Sequence, residues 1–304
     1  MSLNTLIIVI IFVIIISLPA LKKMFKNIRI DNSSNIHTAC LYGDLRKTRE
    51  FLNSGININS KDFGNKTPLM YAAEDGATEI IDYLLKNGAN INDIDIRGDS
   101  SLIIALKNNN IKIEELNILM IAYKEEAILE LYAKNKSDKI YKKICEYNIA
   151  EKSGALGPKR KEGDLQVPEG FYNIEIFNPA SSYHLSLGIN YPNASDKIKG
   201  YKSKLGGDIF IHGSTVTIGC IPITDEKIKE VYLYSVYATD GGQKKIPVYI
   251  FPFKMTNSNF DYYKKYYSEE LINFWKDLKT GYDLFQINKE ELKIKVDEFG
   301  NYIF

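Results

Sequence analysis

Hydrophobic and polar positions change their period along this chain, and each change marks a different kind of element. Residues 6–21, LIIVIIFVIIISLPAL, are almost wholly apolar and are followed by Lys22, Lys23, Lys26 and Arg29. From 36 to 110 the apolar positions recur at helical spacing, and they do so in units. Gly43 and Gly76, Gly55 and Gly88, and Leu69 and Leu102 each stand 33 residues apart. In the middle unit Thr67 reads as an N-cap and Pro68 as the first helical residue. Ala72 and Ala73 there allow close helix packing, and Gly76 and Gly88 end two helices. The last unit, DIRGDSSLIIALKNNN (95–110), stops after its first helix. From about residue 112 the pattern alternates. Segments 128–133 and 140–149, joined by Asn135-Lys136-Ser137-Asp138, predict a hairpin. Further on, Thr224 before Asp225 and Glu226 predicts a helix start with Ile228, Val231 and Tyr232 on its buried face. Residues 268–278 predict another helix, with Leu271, Phe274, Trp275 and Leu278 as a core stripe.

A 33-residue unit built as helix–turn–helix has the ankyrin period, and TPLMYAAEDGATEIIDYLLKNGANIN (67–92) resembles the ankyrin pattern. Stacked repeats present a concave face and carry no chemistry of their own, so an unknown protein partner is expected there. The apolar run reads as a membrane anchor or uncleaved signal entering the membrane through residues 3–24, slightly short of the ~20 residues of a full span. Its basic flank favours a cytoplasmic C-terminal side under the positive-inside rule.

Length and charge narrow the field. At 304 residues the chain holds two modest domains, each able to bury a core. A net charge of +1, from 39 basic and 38 acidic residues, offers no broad basic surface for nucleic acid. Three cysteines, Cys40, Cys145 and Cys220, do not form a disulfide framework. Cys40 at a small helix position and Cys145 in a predicted strand read as packing residues, which leaves Cys220 free to react.

The candidate chemistry lies in HGSTVTIGC (212–220). His212 stands eight residues before Cys220, with a glycine beside each. Cysteine catalysis needs a thiolate, a nearby base to generate it, and backbone N–H groups aimed at the oxyanion. A cysteine in an apolar run is more often a small buried hydrophobe, so the spacing alone is weak. No metal-ligand spacing accompanies it.

The surrounding blocks carry more. HG, a short spacer and a (S/T)xGC box are preceded by GPKRKEGDLQVPEGFY (157–172) and NPASSYHLSLGINYPNASD (178–196). They are followed by GCIPITDEKIKEVY (219–232) and IPVYIFPFKM (246–255). In this order they resemble the L,D-transpeptidase catalytic domain family, in its murein transpeptidase and amidase branch, over about residues 112–304. Many members of the wider family carry a second histidine two residues before the cysteine; here that position is Ile218.

The apolar run, the repeats and the resemblance together give a multidomain architecture: an N-terminal membrane helix (1–29), an all-α ankyrin repeat array (30–111) and a C-terminal mainly-β catalytic domain with flanking helices (112–304). The resemblance implies a cofactor-free enzyme in which Cys220 is the nucleophile and His212 the general acid and base. The Gly213 carbonyl would orient the ring, and the N–H groups of Gly219, Cys220 and Ile218 would form the oxyanion hole. Lys159, Asp164, Glu169 and Asp208 are candidate substrate-binding residues, each with a plainer reading as a turn former or ion-pair partner. The implied substrates are peptidoglycan stem peptides and a wall-linked lipoprotein. Cross-linking, lipoprotein attachment and hydrolytic release all remain open. The implied location is periplasmic, anchored in the inner membrane. The rival is a catalytically inactive, wall-associated or cytoplasmic module that works through its ankyrin surface.

Overall fold

Side-chain caps set the helices of the first part of the chain. Asn35 accepts the N–H of Thr38 at the start of α1 (Ile36–Leu41), and Asp44 accepts that of Lys47 at the start of α2 (Leu45–Asn53). Thr67 caps α3 (Pro68–Asp75), with proline in its first turn and Gly76 closing it at φ 71°. This left-handed conformation is strained for a residue with a Cβ. α4 (Thr78–Lys86) and α5 (Ser101–Asn108) follow. Ile36, Cys40, Leu69, Ala72, Ile80 and Leu84 form the core here, so Cys40 is a packing residue.

The structure, a computed structural model, describes residues 34–91, 93–200 and 204–304. The described residues divide into two compact units, parted between Ala105 and Leu106.

Two parts of the expected architecture are corrected. Among the described residues no helix is long and apolar enough to cross a membrane. The longest, α9 (Glu269–Asn288), has 20 residues but is amphipathic, burying Phe274, Trp275 and Phe285 while carrying charges elsewhere. The apolar run at 6–21 and the proposed membrane contact at 3–24 lie outside the described residues. Nor is the repeat region all-α. After α5 the place of a second helix is taken by a 3-10 turn (Ile113–Glu115) and then by strand β1 (Leu116–Tyr123). Seven of the eight residues of LNILMIAY are apolar or aromatic and all but Asn117 are buried, which suits a central strand rather than a solvent-backed helix.

The second unit is organised by an eight-stranded sheet in the order β3-β2-β1-β8-β4-β5-β6-β7. β2 (Ile128–Asn135) pairs antiparallel with both β1 and β3 (Lys142–Asn148), close to the predicted hairpin. β8 (Pro247–Phe251) joins β1 in parallel. β4 (Gly170–Ser181) is long enough to change partner: residues 170–173 pair with β8, whereas 174–181 pair with β5 (His184–Ile189). The sheet thereby continues to the short strands β6 (Phe210–His212) and β7 (Ile221–Pro222).

An aromatic core including Tyr123, Phe171, Phe251, Trp275 and Phe285 joins the sheet to α9. That helix runs ten residues beyond its predicted end at Leu278, because Tyr282 and Phe285 prolong the buried stripe. α7 (Asp225–Asp240) follows α6 (Ala194–Lys199) and buries Ile228, Val231 and Tyr234, while the expected Tyr232 is half-buried against Phe177. α8 (Asn257–Tyr263) precedes α9.

Candidate active site

Two short strands bring the histidine and cysteine segments together. β6 lies between β5 and β7, with Ser186 opposite His212 on one side and Ile211 opposite Ile221 on the other. The parallel pairing of β6 and β7 requires the intervening 213–220 loop to cross back, so the residue preceding Ile221 falls level with Phe210. Cys220 is there, and its Sγ accepts the Phe210 N–H at 3.4 Å while facing the Asp208 carbonyl at 3.5 Å.

The crossing is tight. Gly219 sits at φ 133°, and Asp208, Ser214 and Thr224 also have positive φ. A Cβ on Gly213 would lie 2.5 Å from the Asp225 carboxylate and 2.6 Å from the Tyr183 carbonyl, so glycine is required by space at that position. Asp225, in the first turn of α7, accepts the Ser214 N–H at 2.7 Å and ties the loop to the helix.

His212 is almost wholly buried, at 2 % exposure. Its Nδ1 lies 2.5 Å from the Gly213 carbonyl, which can only accept. The proton is therefore on Nδ1, and Nε2 is left as an acceptor. The ring of Tyr183, from the β4–β5 turn, covers the imidazole at 4.7 Å between centroids and 33° between planes. Burial holds His212 below its ordinary range, opposed by the Gly213 carbonyl. Burial likewise pushes the Cys220 thiol up; the Phe210 N–H and Lys159 oppose this, and the Asp208 carboxylate adds to it. Both shifts favour a neutral imidazole and a neutral thiol at pH 7.

The expected oxyanion donors have a resting partner. Thr217 Oγ1 accepts the N–H of Gly219 at 3.2 Å and that of Cys220 at 2.8 Å, and donates to the Cys220 carbonyl at 2.9 Å. Ile218 has an exposed side chain, and among the described residues its N–H has no hydrogen-bond partner. Thr217 is the (S/T) position of the box, so its signal was present in the sequence. Tyr183 and Asp225 had none, because their proximity to His212 and Ser214 arises only once the β4–β5 turn and the start of α7 are folded against the 213–220 loop.

The other candidates separate. Lys159 and Asp164 form an ion pair at 2.6 Å, and Asp164 also accepts the N–H groups of Arg160, Lys161 and Gln166. Burial opposes ionisation of Asp164, yet these partners hold it below the usual carboxylate range. Glu169 is fully buried. Its carboxylate takes Lys124 at 3.0 Å, the Gly157 N–H at 2.7 Å and the Trp275 indole N–H at 2.8 Å. Lys124 also donates to the carbonyls of Gly157 and Val167. These groups brace the 157–169 segment from within. Asp208 flanks the thiol through its carbonyl. Among the described residues no cluster of three or more His, Cys, Asp or Glu is arranged to hold a metal ion.

A small cleft of about 80 Å³ opens beside Cys220, walled by residues of β1, β7 and the 149–156 segment. A thiol at the wall of a cleft, an imidazole held in one tautomer on the neighbouring strand and backbone N–H groups on the thiol's own turn are the kinds of group that acyl transfer requires.

The comparisons agree with the class that this fold and site define. The family model for the L,D-transpeptidase catalytic domain matches residues 117–250, and that for ankyrin repeats, in three copies, matches 36–138. The latter span takes in β1 and β2, a second reason that the repeat region is not all-α. The chain is 36 % identical over 183 residues to YafK of Escherichia coli K12, named as an L,D-transpeptidase by proposal; this covers 60 % of the chain and 71 % of YafK. The chain belongs to the L,D-transpeptidase catalytic domain family. Its repeats are 40 % identical over 48 residues to myotrophin of Xenopus tropicalis, covering 16 % of this chain and 41 % of that protein. Among solved structures, the helical cell shape determining protein Pgp2 of Campylobacter jejuni is 24 % identical, with a TM-score of 0.36, covering 60 % of this chain and 74 % of that one.

Proposed function

We propose that this protein is a cysteine acyltransferase acting on peptidoglycan stem peptides. The L,D-transpeptidase domain implies a peptidoglycan substrate, and the ankyrin repeats imply protein binding. In the proposed reaction His212 Nε2 takes the proton from Cys220 as Sγ bonds to the carbonyl carbon of the stem-peptide diamino acid. The oxyanion that forms is held by backbone N–H groups at Ile218, Gly219 and Cys220. The C–N bond then breaks, the imidazolium returns its proton to the leaving amine, and a thioester remains. An acceptor amine or water attacks that thioester and restores the thiol. An amine yields a cross-link or an attached lipoprotein, whereas water yields release.

The observation that carries this reading is the Nδ1 contact between His212 and the Gly213 carbonyl, which leaves Nε2 as the free base on the strand next to Cys220. The domain would work outside the cytoplasmic membrane, where peptidoglycan lies, and a compartment-sensitive reporter fused after Phe304 tests this.

One observation favours a second reading, that of a silent binding module: Thr217 occupies two of the three expected oxyanion donors. Mass spectrometry of peptidoglycan, with and without bound lipoprotein, after treatment with the full chain and its Cys220→Ala form decides between them. New linkages, released D-alanine or released lipoprotein, absent with the variant, support the enzyme. Unchanged products with every substrate support the module.

A further inference from the structure

We infer that Tyr262 and Tyr266 form a stacking platform for the pyranose rings of a glycan strand, next to the cleft that holds Cys220. This rests on the reading of the protein as a peptidoglycan enzyme and adds the polymer's sugar to the peptide named there. The segment from α8 to the start of α9 carries tyrosines at 262, 263, 266 and 267, and they divide into two layers. Tyr263 stacks on the buried Phe253 at 4.2 Å between centroids, and Tyr267 meets the buried Trp275 edge-on at 4.8 Å. Tyr262 and Tyr266 lie outside this layer, 55 % and 67 % exposed, with Tyr262 at 5.1 Å from Tyr263 and 5.3 Å from Tyr266. The outer rings are thus seated on aromatic side chains that the core fixes, so ordering them on binding costs little.

The platform adjoins the cleft. The Glu125 N–H donates to the Pro252 carbonyl at 2.9 Å, and the next residue, Phe253, carries Tyr263. Glu125 and Leu156 both line the cleft, and Leu156 packs against the same aromatic core as Tyr263 and Tyr267. Burial pushes the phenols of Tyr263 and Tyr267 up, and the nearby Glu125 carboxylate adds to this in both.

The surroundings select the ligand. Tyrosine offers an apolar face and a hydroxyl, and among the described residues neither outer hydroxyl has a hydrogen-bond partner. A pyranose ring is complementary, with a face of C–H bonds for the rings and hydroxyl and amide groups at its edge. The exposed residues of 256–270 include no aliphatic side chain, which the apolar centre of a protein interface would supply. Lys264 is paired with Asp261 at 2.6 Å, and Lys265 is outnumbered by Glu269 and Glu270 on the same segment, so a polyanion is not favoured. A strand of N-acetylated hexosamines whose acid groups are taken up in peptide bonds is neutral. Holding such a strand beside the cleft would keep a polymeric substrate in place for successive stem peptides.

Calorimetry on the full chain carrying Cys220→Ala, titrated with chitohexaose, tests this with a glycan that has no peptide. The parent is expected to bind it. Adding Tyr262→Ala and Tyr266→Ala together is expected to weaken binding about tenfold or more with Tm unchanged, while the corresponding phenylalanine pair stays within about threefold. No binding by the parent, an affinity unmoved by the alanine pair, or an equal loss with the phenylalanine pair overturns the inference. Sedimentation of the parent alone checks the rival occupant, because dimerisation abolished by the alanine pair would assign the rings to a second copy of the chain. Ring-dependent glycan binding together with no Cys220-dependent product from the wild-type chain overturns the acyl-transfer reading alone, and such products without glycan binding overturn the platform alone.

Discussion

The hydroxyl of Thr217 accepts the N–H of Cys220 at 2.8 Å and donates to the carbonyl of the same residue at 2.9 Å, so one side chain holds the Cys220 backbone from both sides. Thr217→Val removes the hydroxyl and leaves the Gly219 and Cys220 amides without their acceptor. An unmade hydrogen bond of this kind costs ~1–3 kcal/mol. Turnover of a stem peptide is expected to fall about tenfold or more with Val and to be retained with Ser. Equal kcat/KM for the Thr and Val forms would remove the hydroxyl from the machinery.

The acid limb of the pH profile reports His212. Burial holds the imidazole below its ordinary value, so proton uptake that disables the base is expected below the usual ~6.5. Tyr183→Ala uncovers the ring and moves the limb of kcat/KM upward toward that value, whereas Tyr183→Phe leaves it in place. A limb that stays fixed in the alanine form would mean that Tyr183 does not shield the base.

Thiol labelling provides the complementary measurement. Burial pushes Cys220 up and Cys145 much further up, so iodoacetamide should modify Cys220 first, at a rate rising with pH toward and beyond the ordinary thiol range. A Cys220 reaction already at its plateau at pH 6 would instead indicate a preformed thiolate.

Glu169 is expected to report in stability. Glu169→Leu leaves the Lys124 ammonium buried without its carboxylate, a change that costs ~3–5 kcal/mol in comparable pairs. The loss is read in chemical denaturation of the full chain. Unchanged stability with a raised KM would return Glu169 to the substrate.

Asp196 supplies a pH-dependent stability test. Burial raises its carboxyl to about 6, against hydrogen bonds from Asn193 and Tyr172 and the charge of Arg160. The folded state therefore holds this proton over a range where the unfolded chain, with an ordinary value of 3.8, has released it. Its contribution to stability declines as pH rises from about 4 to 6 and stays low above. Asp196→Asn should consequently gain in Tm relative to wild type between pH 4 and pH 8. A constant difference would contradict the shift.

Much of the fold was legible because local patterns agreed with the final packing. The Thr67 cap, the Pro68 start and the Gly76 stop follow from propensities that act within a few residues. The 128–149 hairpin follows from alternation. The missing second helix of the last repeat was also visible, but its replacement by a strand in an eight-stranded sheet was not. That outcome depends on β8, more than 120 residues away, pairing with β1.

The sequence by itself determined which residues could carry chemistry: the order HG, spacer, TIGC names one thiol, one imidazole and the glycines that permit a sharp turn. Tertiary structure alone decided how those groups are arranged. Register between β5, β6 and β7 sets the thiol level with Phe210, and the β4–β5 turn brings Tyr183 over His212. Glu169 faces inward to Lys124 and Trp275, while Glu151 is left open at the cleft. Two glutamates look alike in a sequence because charge and residue type are local properties. Burial and the partners that balance a buried charge are set by segments distant along the chain, and only the folded sheet brings them together.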